Sequence, residues 1–234
     1  MSETKIEWTD MTWNPTTGCS KVSDGCKNCY AERLAKRLQA MGNPRYVNGF
    51  EPQEHPGALD LPFTWKRPKK IFVNSMSDLF HEAISEQFIE KVFDVMNKTP
   101  MHTYQILTKR PERAARLANQ LTWTNNIWLG TSVENSRVVG RIDVLRQVPS
   151  RIRFLSCEPL IGPLENVNLQ DIHWVIAGGE SGPGARPMDA GWVRLLLNEC
   201  QAAQIPFFFK QWGGVMKHKN GRLLDGREWN EFPE

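Results

Sequence analysis

The sequence predicts an α/β protein, a parallel (β/α) barrel, partial or closed, that ends in a small C-terminal hairpin. Six short apolar runs rich in Ile, Val and Phe each end in small or polar residues, as buried parallel strands do. Helix-patterned stretches separate several of these runs, and that alternation is the pattern of a parallel sheet covered by helices. A doubly wound open sheet is the alternative.

The elements follow in chain order. A short first strand is expected around Thr12–Thr16. The six runs lie within 69–78 (KKIFVNSMSD), 103–111 (TYQILTKRP), 126–135 (NIWLGTSVEN), 152–160 (IRFLSCEPL), 172–182 (IHWVIAGGESG) and 205–214 (IPFFFKQWGG). Helices are expected over Tyr30–Met41, ending at Gly42, and over Ile84–Lys98, with Ser85 or His81 as cap. Pro111–Gln120 starts with the proline that suits a first helical turn. Asn135–Val148 and Ala190–Gln204 complete the set. Pro44, Pro52, Pro56, Pro62 and Pro68 break the rhythm between 43 and 70, which reads as a long loop across the barrel mouth. Asp225-Gly226, between RLL and REW, is a hairpin turn signal. The organisation is therefore a barrel domain over 1–214 and an extension over 215–234.

Forty per cent hydrophobic and 24% charged residues in 234 are ordinary for a globular chain, and the net charge of +3 permits an anionic partner without requiring one. The polar start MSETKIEWTD is not expected to be a signal peptide. No apolar run has the length of a membrane span. A cytoplasmic setting follows, where thiols stay reduced.

Chemistry concentrates in TTGCSKVSDGCKNCYAERLAKRL. Cys19, Cys26 and Cys29 stand at C-x6-C-x2-C spacing, and three cysteines so close together favour a metal site. Gly18 and Gly25 precede two of them and allow a tight loop. Three thiolates leave one iron of a four-iron cluster without a protein ligand. A structural zinc site is the rival reading and needs a fourth ligand, for which His55 and His81 are nearest. Three unrelated buried cysteines are the other.

With WNPTTGC and GCKNCYAE followed by LTKRPE, GTSVEN, SCEPL, AGGESG and FKQWG, nearly the whole chain resembles one family, the phage-associated three-Cys-motif proteins. That family is of unknown function. It is similar to the radical S-adenosylmethionine (SAM) superfamily and distantly to spore photoproduct lyase. The resemblance implies a partial TIM barrel of radical SAM type, a [4Fe–4S] cluster on Cys19, Cys26 and Cys29, and SAM on the open iron. It implies reductive cleavage of SAM to methionine and a 5′-deoxyadenosyl radical that takes a hydrogen atom from substrate. It implies an electron donor such as flavodoxin or ferredoxin, makes nucleic acid or a nucleotide the leading substrate class, and allows a partner protein encoded next door, with no membrane involved. A metal-stabilised nucleic-acid-binding or interaction protein without turnover is the alternative. Two departures stand out: the common first gap is three residues, and the common aromatic before the last cysteine is here Asn28, with Tyr30 as a candidate replacement.

Loops at the C-terminal ends of barrel strands build the site. The residues there suit the polar groups of SAM: Asn74, Ser75, Asp78, Ser132, Glu134, Glu158, Gly178, Gly179 and Glu180, with Tyr30. Lys109 and Arg110 suit a carboxylate or phosphate and, with Cys157 as a hydrogen-atom donor or as a core residue, are the catalytic candidates. Cys200 is expected in the core. Trp65–Lys70 is a basic run with an aromatic, either a solvated loop or a phosphate contact.

Overall fold

The computed structural model describes Thr4 and residues 6–234. Residues 1–3 and 5, where the polar N-terminal stretch begins, lie outside the described residues.

Seven strands form one sheet: β1 (Met11–Trp13), β4 (Lys70–Val73), β5 (Thr103–Thr108), β6 (Ile127–Ser132), β7 (Arg153–Cys157), β8 (Trp174–Gly178) and β9 (Phe207–Gln211). They lie side by side in chain order, and every neighbouring pair is parallel. A doubly wound sheet reverses direction at a switch point. This order never reverses, so successive crossovers stack on one face and the sheet curls into a half-barrel.

All six expected runs became strands. The first strand is shorter than expected and stops at Trp13, because Pro15 has no N–H to continue the ladder. Thr16–Thr17 (β2) instead pairs antiparallel with Gln53–Glu54 (β3), outside the main sheet. Helix α1 covers Tyr30–Ala40, α2 Glu86–Lys98, α3 Pro111–Leu117, α4 Arg141–Leu145 and α5 Ala190–Ala202. Ser85, not His81, caps α2, its side chain accepting from the Phe88 N–H. The helix expected over 135–148 is broken: Asn135 caps a short 3-10 turn by accepting from the Arg137 N–H, and α4 begins only after Gly140.

Two apolar clusters follow the strand period of two. Ile71, Val73, Tyr104, Ile106, Leu129, Leu155, Cys157, Phe207 and Phe209 face the helix layer and join its core. Phe72, Phe154, Trp174, Ile176 and Phe208 turn to the other, concave face, where Trp8 plugs the base of the barrel. Trp174 sits at the centre of this plug, 6.1 Å from Trp8 and 5.0 Å from Phe232, ring centre to ring centre.

The tail closes the β9 edge. Asp225 and Gly226 both have positive φ (52° and 81°), as a two-residue hairpin turn requires. The hairpin they make is one bridge long, Leu224 to Arg227. Beyond it the chain runs antiparallel to β9, where the Phe209 N–H donates to the Trp229 carbonyl and the Glu231 N–H to that of Phe207. A covered edge cannot pair with another chain. A helical turn at Lys217–Asn220 (α6), not expected from sequence, precedes it.

Gly130 lies where the ring of Phe154 crosses the sheet, and a Cβ there would sit 2.4 Å from that ring. Gly130→Ala is therefore expected to lower stability by about 1–3 kcal/mol through overpacking. Urea denaturation would measure it; a variant as stable as the parent would show that the plug can yield.

Candidate functional site

The cysteine loop lies across the C-terminal ends of the strands and is shaped first by its own backbone. Gly18 has φ +80°, and a Cβ there would fall 2.0 Å from the Glu51 carbonyl oxygen, so only glycine fits. The Gly18 N–H donates to Met76 O and the Cys19 N–H to Phe50 O. Cys26 ends a 3-10 turn over Asp24–Cys26, and Cys29 is the residue from which α1 starts.

Three charged residues at strand ends then hold the loop, one along each third of its length. Arg110, after β5, donates to Ser20 Oγ (2.8 Å), Ser20 O (3.2 Å) and Cys19 Sγ (3.5 Å). Glu134, after β6, accepts from the Ser23 hydroxyl and from Arg141 Nη1 (2.9 Å). It also packs where a Gly25 side chain would be, 2.4 Å from that position. Glu180, after β8, accepts from Asn28 Nδ2 (2.9 Å) and from the guanidinium and backbone N–H of Arg186. The three are only 5%, 0% and 5% exposed, so each charge depends on protein partners and not on water, Arg110 on Asp78 and Glu82, Glu134 on Arg141 and Glu180 on Arg186.

Burial pushes the Glu180 carboxyl up, but the Arg186 and Asn28 hydrogen bonds outweigh it and hold the group at about 2. The Cys19 thiol is raised to about 11 by burial and then by Asp78, with Arg110 opposing. It is therefore a thiol until something replaces its proton.

Arg110, Glu134 and Glu180 thus anchor the loop through bonds made within the chain. Asp78 belongs with them: its carboxylate takes the Phe80 and Lys109 N–H groups, the Thr108 hydroxyl and Arg110. At Gly179 a Cβ would meet Trp212 O at 2.1 Å, so only glycine fits. Cys157 takes the core place, one of its two expected readings. It is fully buried on the helix side of the sheet, away from the mouth, with its thiol pushed well above the ordinary range by burial.

A second set of the expected residues remains on the concave side. Lys109 Nζ donates to Ser132 Oγ (3.0 Å) and stands 3.9 Å from Glu134. Lys210 Nζ pairs with both oxygens of Glu158 (2.8 and 3.0 Å), and Gly178 leaves bare backbone beside that pair. Asn74 is buried at φ +63°. The Ser75 carbonyl accepts from the Tyr30 hydroxyl, and the Tyr30 ring is half-exposed. Asn28, whose place an aromatic commonly takes, has its amide turned onto Glu180 and the Gly184 carbonyl.

Cys19, Cys26 and Cys29 are free, partly exposed thiols that line one cavity of about 440 Å³ with Lys21, Glu32 and Phe50. Among the described residues no three His, Cys, Asp or Glu side chains lie close enough to share a single metal ion. Of the two histidines nearest the cysteines, His55 Nε2 bonds Thr17 Oγ1 (2.7 Å) and His81 Nε2 bonds Ser20 Oγ (2.8 Å). A four-iron cluster takes its thiolates on different irons, so it needs thiols around one cavity and not at one point. The soft donor set and the shared cavity fit that group.

The basic run lies elsewhere. Trp65 is buried in the core against His102, and Lys66–Lys70 lead into the start of β4, the opposite end of the barrel from the cysteines. Sequence reasoning also passed over Ser23, Arg33, Arg141 and Arg186. Arg33 reaches from α1 to the Ser181 and Pro183 carbonyls. A carboxylate in GTSVEN or AGGESG signals a need for a cation, but spacing alone does not say which arginine supplies it. Among the described residues no helix is long and apolar enough to cross a membrane.

A family model described as "Protein of unknown function (DUF5131)" matches residues 3–233. No curated protein matches the sequence. Two solved structures are similar to it at 12% identity. One is a spore photoproduct lyase double mutant with bound AdoMet and dinucleoside spore photoproduct (TM-score 0.48, over 71% of this chain and 55% of that one). The other is spore photoproduct lyase complexed with dinucleoside spore photoproduct (TM-score 0.46, over 78% and 58%). The matches thus span little more than half of those longer chains.

The Glu180 anchor carries a pH signature. A carboxyl held at about 2 instead of 4.5 stabilises the loop fully above 4.5, and that contribution is lost as pH falls from there toward 2. Amide exchange across 26–33, corrected for intrinsic rates, is expected to stay protected down to a pH of about 5 and to weaken below about 4.5. Glu180→Gln is expected to show the weakened state already at neutral pH. Equal protection of parent and variant there would remove Glu180 as an anchor.

Proposed function

The chain belongs to the DUF5131 family of proteins of unknown function, and from its site we propose that it is a radical SAM-like iron–sulfur enzyme. The observation that carries this reading is that three free cysteines line one cavity at the mouth of a parallel half-barrel, in a loop fixed by buried ionic anchors. Cys19, Cys26 and Cys29 would hold a [4Fe–4S] cluster. Together with SAM, the cluster would supply one-electron cleavage of a sulfonium and hydrogen-atom abstraction from substrate.

The chain's own residues divide the remaining work. Arg110, Glu134 and Glu180 keep the loop in one shape, so the thiols stay around the cavity whether or not it is filled. Lys109 with Ser132, and Glu158 with Lys210 beside Gly178, present polar groups on the concave side that suit the amino, carboxylate and hydroxyl groups of SAM. The aromatic plug under them excludes water from the base. Tyr30, half-exposed and tethered to Ser75, is the aromatic surface at the rim. Nucleotides and nucleic acids are the first substrates to test, and the Lys66–Lys70 run, at the other end of the barrel, is not placed to contact their phosphates there. An external one-electron donor completes the requirement.

Protein reconstituted without oxygen is expected to carry about four irons and four sulfides. Cys19→Ala, Cys26→Ala and Cys29→Ala should each lose them, and Cys157→Ser and Cys200→Ala should keep them. Reduced protein should convert SAM to equal amounts of methionine and 5′-deoxyadenosine. Stoichiometric zinc without sulfide, or a loaded and reduced cluster that never cleaves SAM, would leave a binding role as the better account.

Glu158→Gln and Lys210→Met separate the SAM contacts from the loop anchors. Both are expected to weaken SAM binding at least tenfold in calorimetry with iron content unchanged. Unchanged affinity would take this pair out of the site.

A further inference from the structure

We propose that Arg110 sets the reduction potential of the metal centre through its hydrogen bond to Cys19 Sγ, and that Glu82 moderates it from the surface. This rests on the cluster reading above. Arg110 is 5% exposed and its Nη1 lies 3.5 Å from Cys19 Sγ. Neither Cys26 nor Cys29 has a cationic donor on its sulfur among the contacts of the described residues; Cys26 Sγ is 3.9 Å from the Ser23 hydroxyl. The three thiols are therefore electrically unequal.

The guanidinium faces two carboxylates of different character. Asp78 is buried, 3.2 Å from Nη1, and is also tied to two backbone N–H groups and Thr108. Glu82 is 67% exposed and meets Nε at 2.9 Å, and Arg110 is the ion-pair partner found for it among the described residues. Reduction adds one negative charge to a cluster and its thiolates. A cationic donor on a ligand sulfur stabilises the reduced form and raises the potential, and a nearby carboxylate opposes it. Removing the Arg110 charge must lower the potential. Removing the Glu82 charge must raise it, because the guanidinium is then less neutralised. A purely structural role for Arg110 moves neither in an ordered direction.

The test is a redox titration followed by electron paramagnetic resonance on the reconstituted full chain, with iron and sulfide analysis alongside. Arg110→Gln is expected to lower the midpoint, Arg110→Lys to recover part of the loss, and Glu82→Gln to raise the midpoint. If Arg110→Gln fails to fold or load, Glu82→Gln on the surface still decides the matter. A midpoint unchanged or lowered in Glu82→Gln, at full iron content, overturns the proposal and leaves the cluster reading standing. A parent chain that binds no iron and sulfide overturns both.

Discussion

Buried charge at the strand ends is the constraint on which this site depends. Arg110, Glu134 and Glu180 sit where water cannot solvate them, and each pairs with a countercharge outside the cysteine loop (Asp78 and Glu82, Arg141, Arg186) and with a neutral group of the loop. Removing one partner of such a pair strands the other in a low-dielectric setting, at a cost of about 3–5 kcal/mol. The barrel and the loop therefore specify each other. Lifting the loop leaves these ion pairs in place but strips each of its neutral loop partner, Ser20, Ser23 or Asn28, and opens it to water. A loop rich in Gly and Ser holds three thiols around one cavity because other parts of the chain fix its shape.

Much of the scaffold was legible in the sequence. The apolar runs at 69–78 through 205–214 gave their strands because burial on both faces leaves an uninterrupted hydrophobic signal. The curl was legible too, since repeated strand–helix units in simple succession need no switch point. Short-range polar competition was not. Asn135 looked like the start of a helix and instead caps a separate turn, and Pro15 ended the first strand early. The plug was missed because Trp8 precedes any recognisable element, and its partners Phe72, Phe154 and Phe208 read only as strand hydrophobics.

The site shows a similar division. The three cysteines announce themselves by spacing, and the residues at strand ends by position. What spacing cannot tell is which strand-end groups face a ligand and which face the loop, because both tasks call for the same side chains. Glu158 and Glu180 look alike in sequence. In space one pairs with Lys210 on the concave side, and the other is saturated by Asn28 and Arg186. Asn28 illustrates the point best. As a departure from a motif it looked like a lost aromatic, and in the fold it is a bolt between the cysteine loop and the loop after β8.

The aromatic plug joins Trp8, near the start of the chain, to Phe232, near its end, through Trp174. During synthesis the base of the barrel cannot seal until residue 232 has left the ribosome, whereas the cysteine loop, at 19–29, emerges well before it. The three loop anchors appear one by one, at 110, 134 and 180. For much of the time these residues are being made, the thiols are displayed on an unfinished scaffold. Vectorial folding thus separates the appearance of the thiols from the last contacts that close the barrel from below.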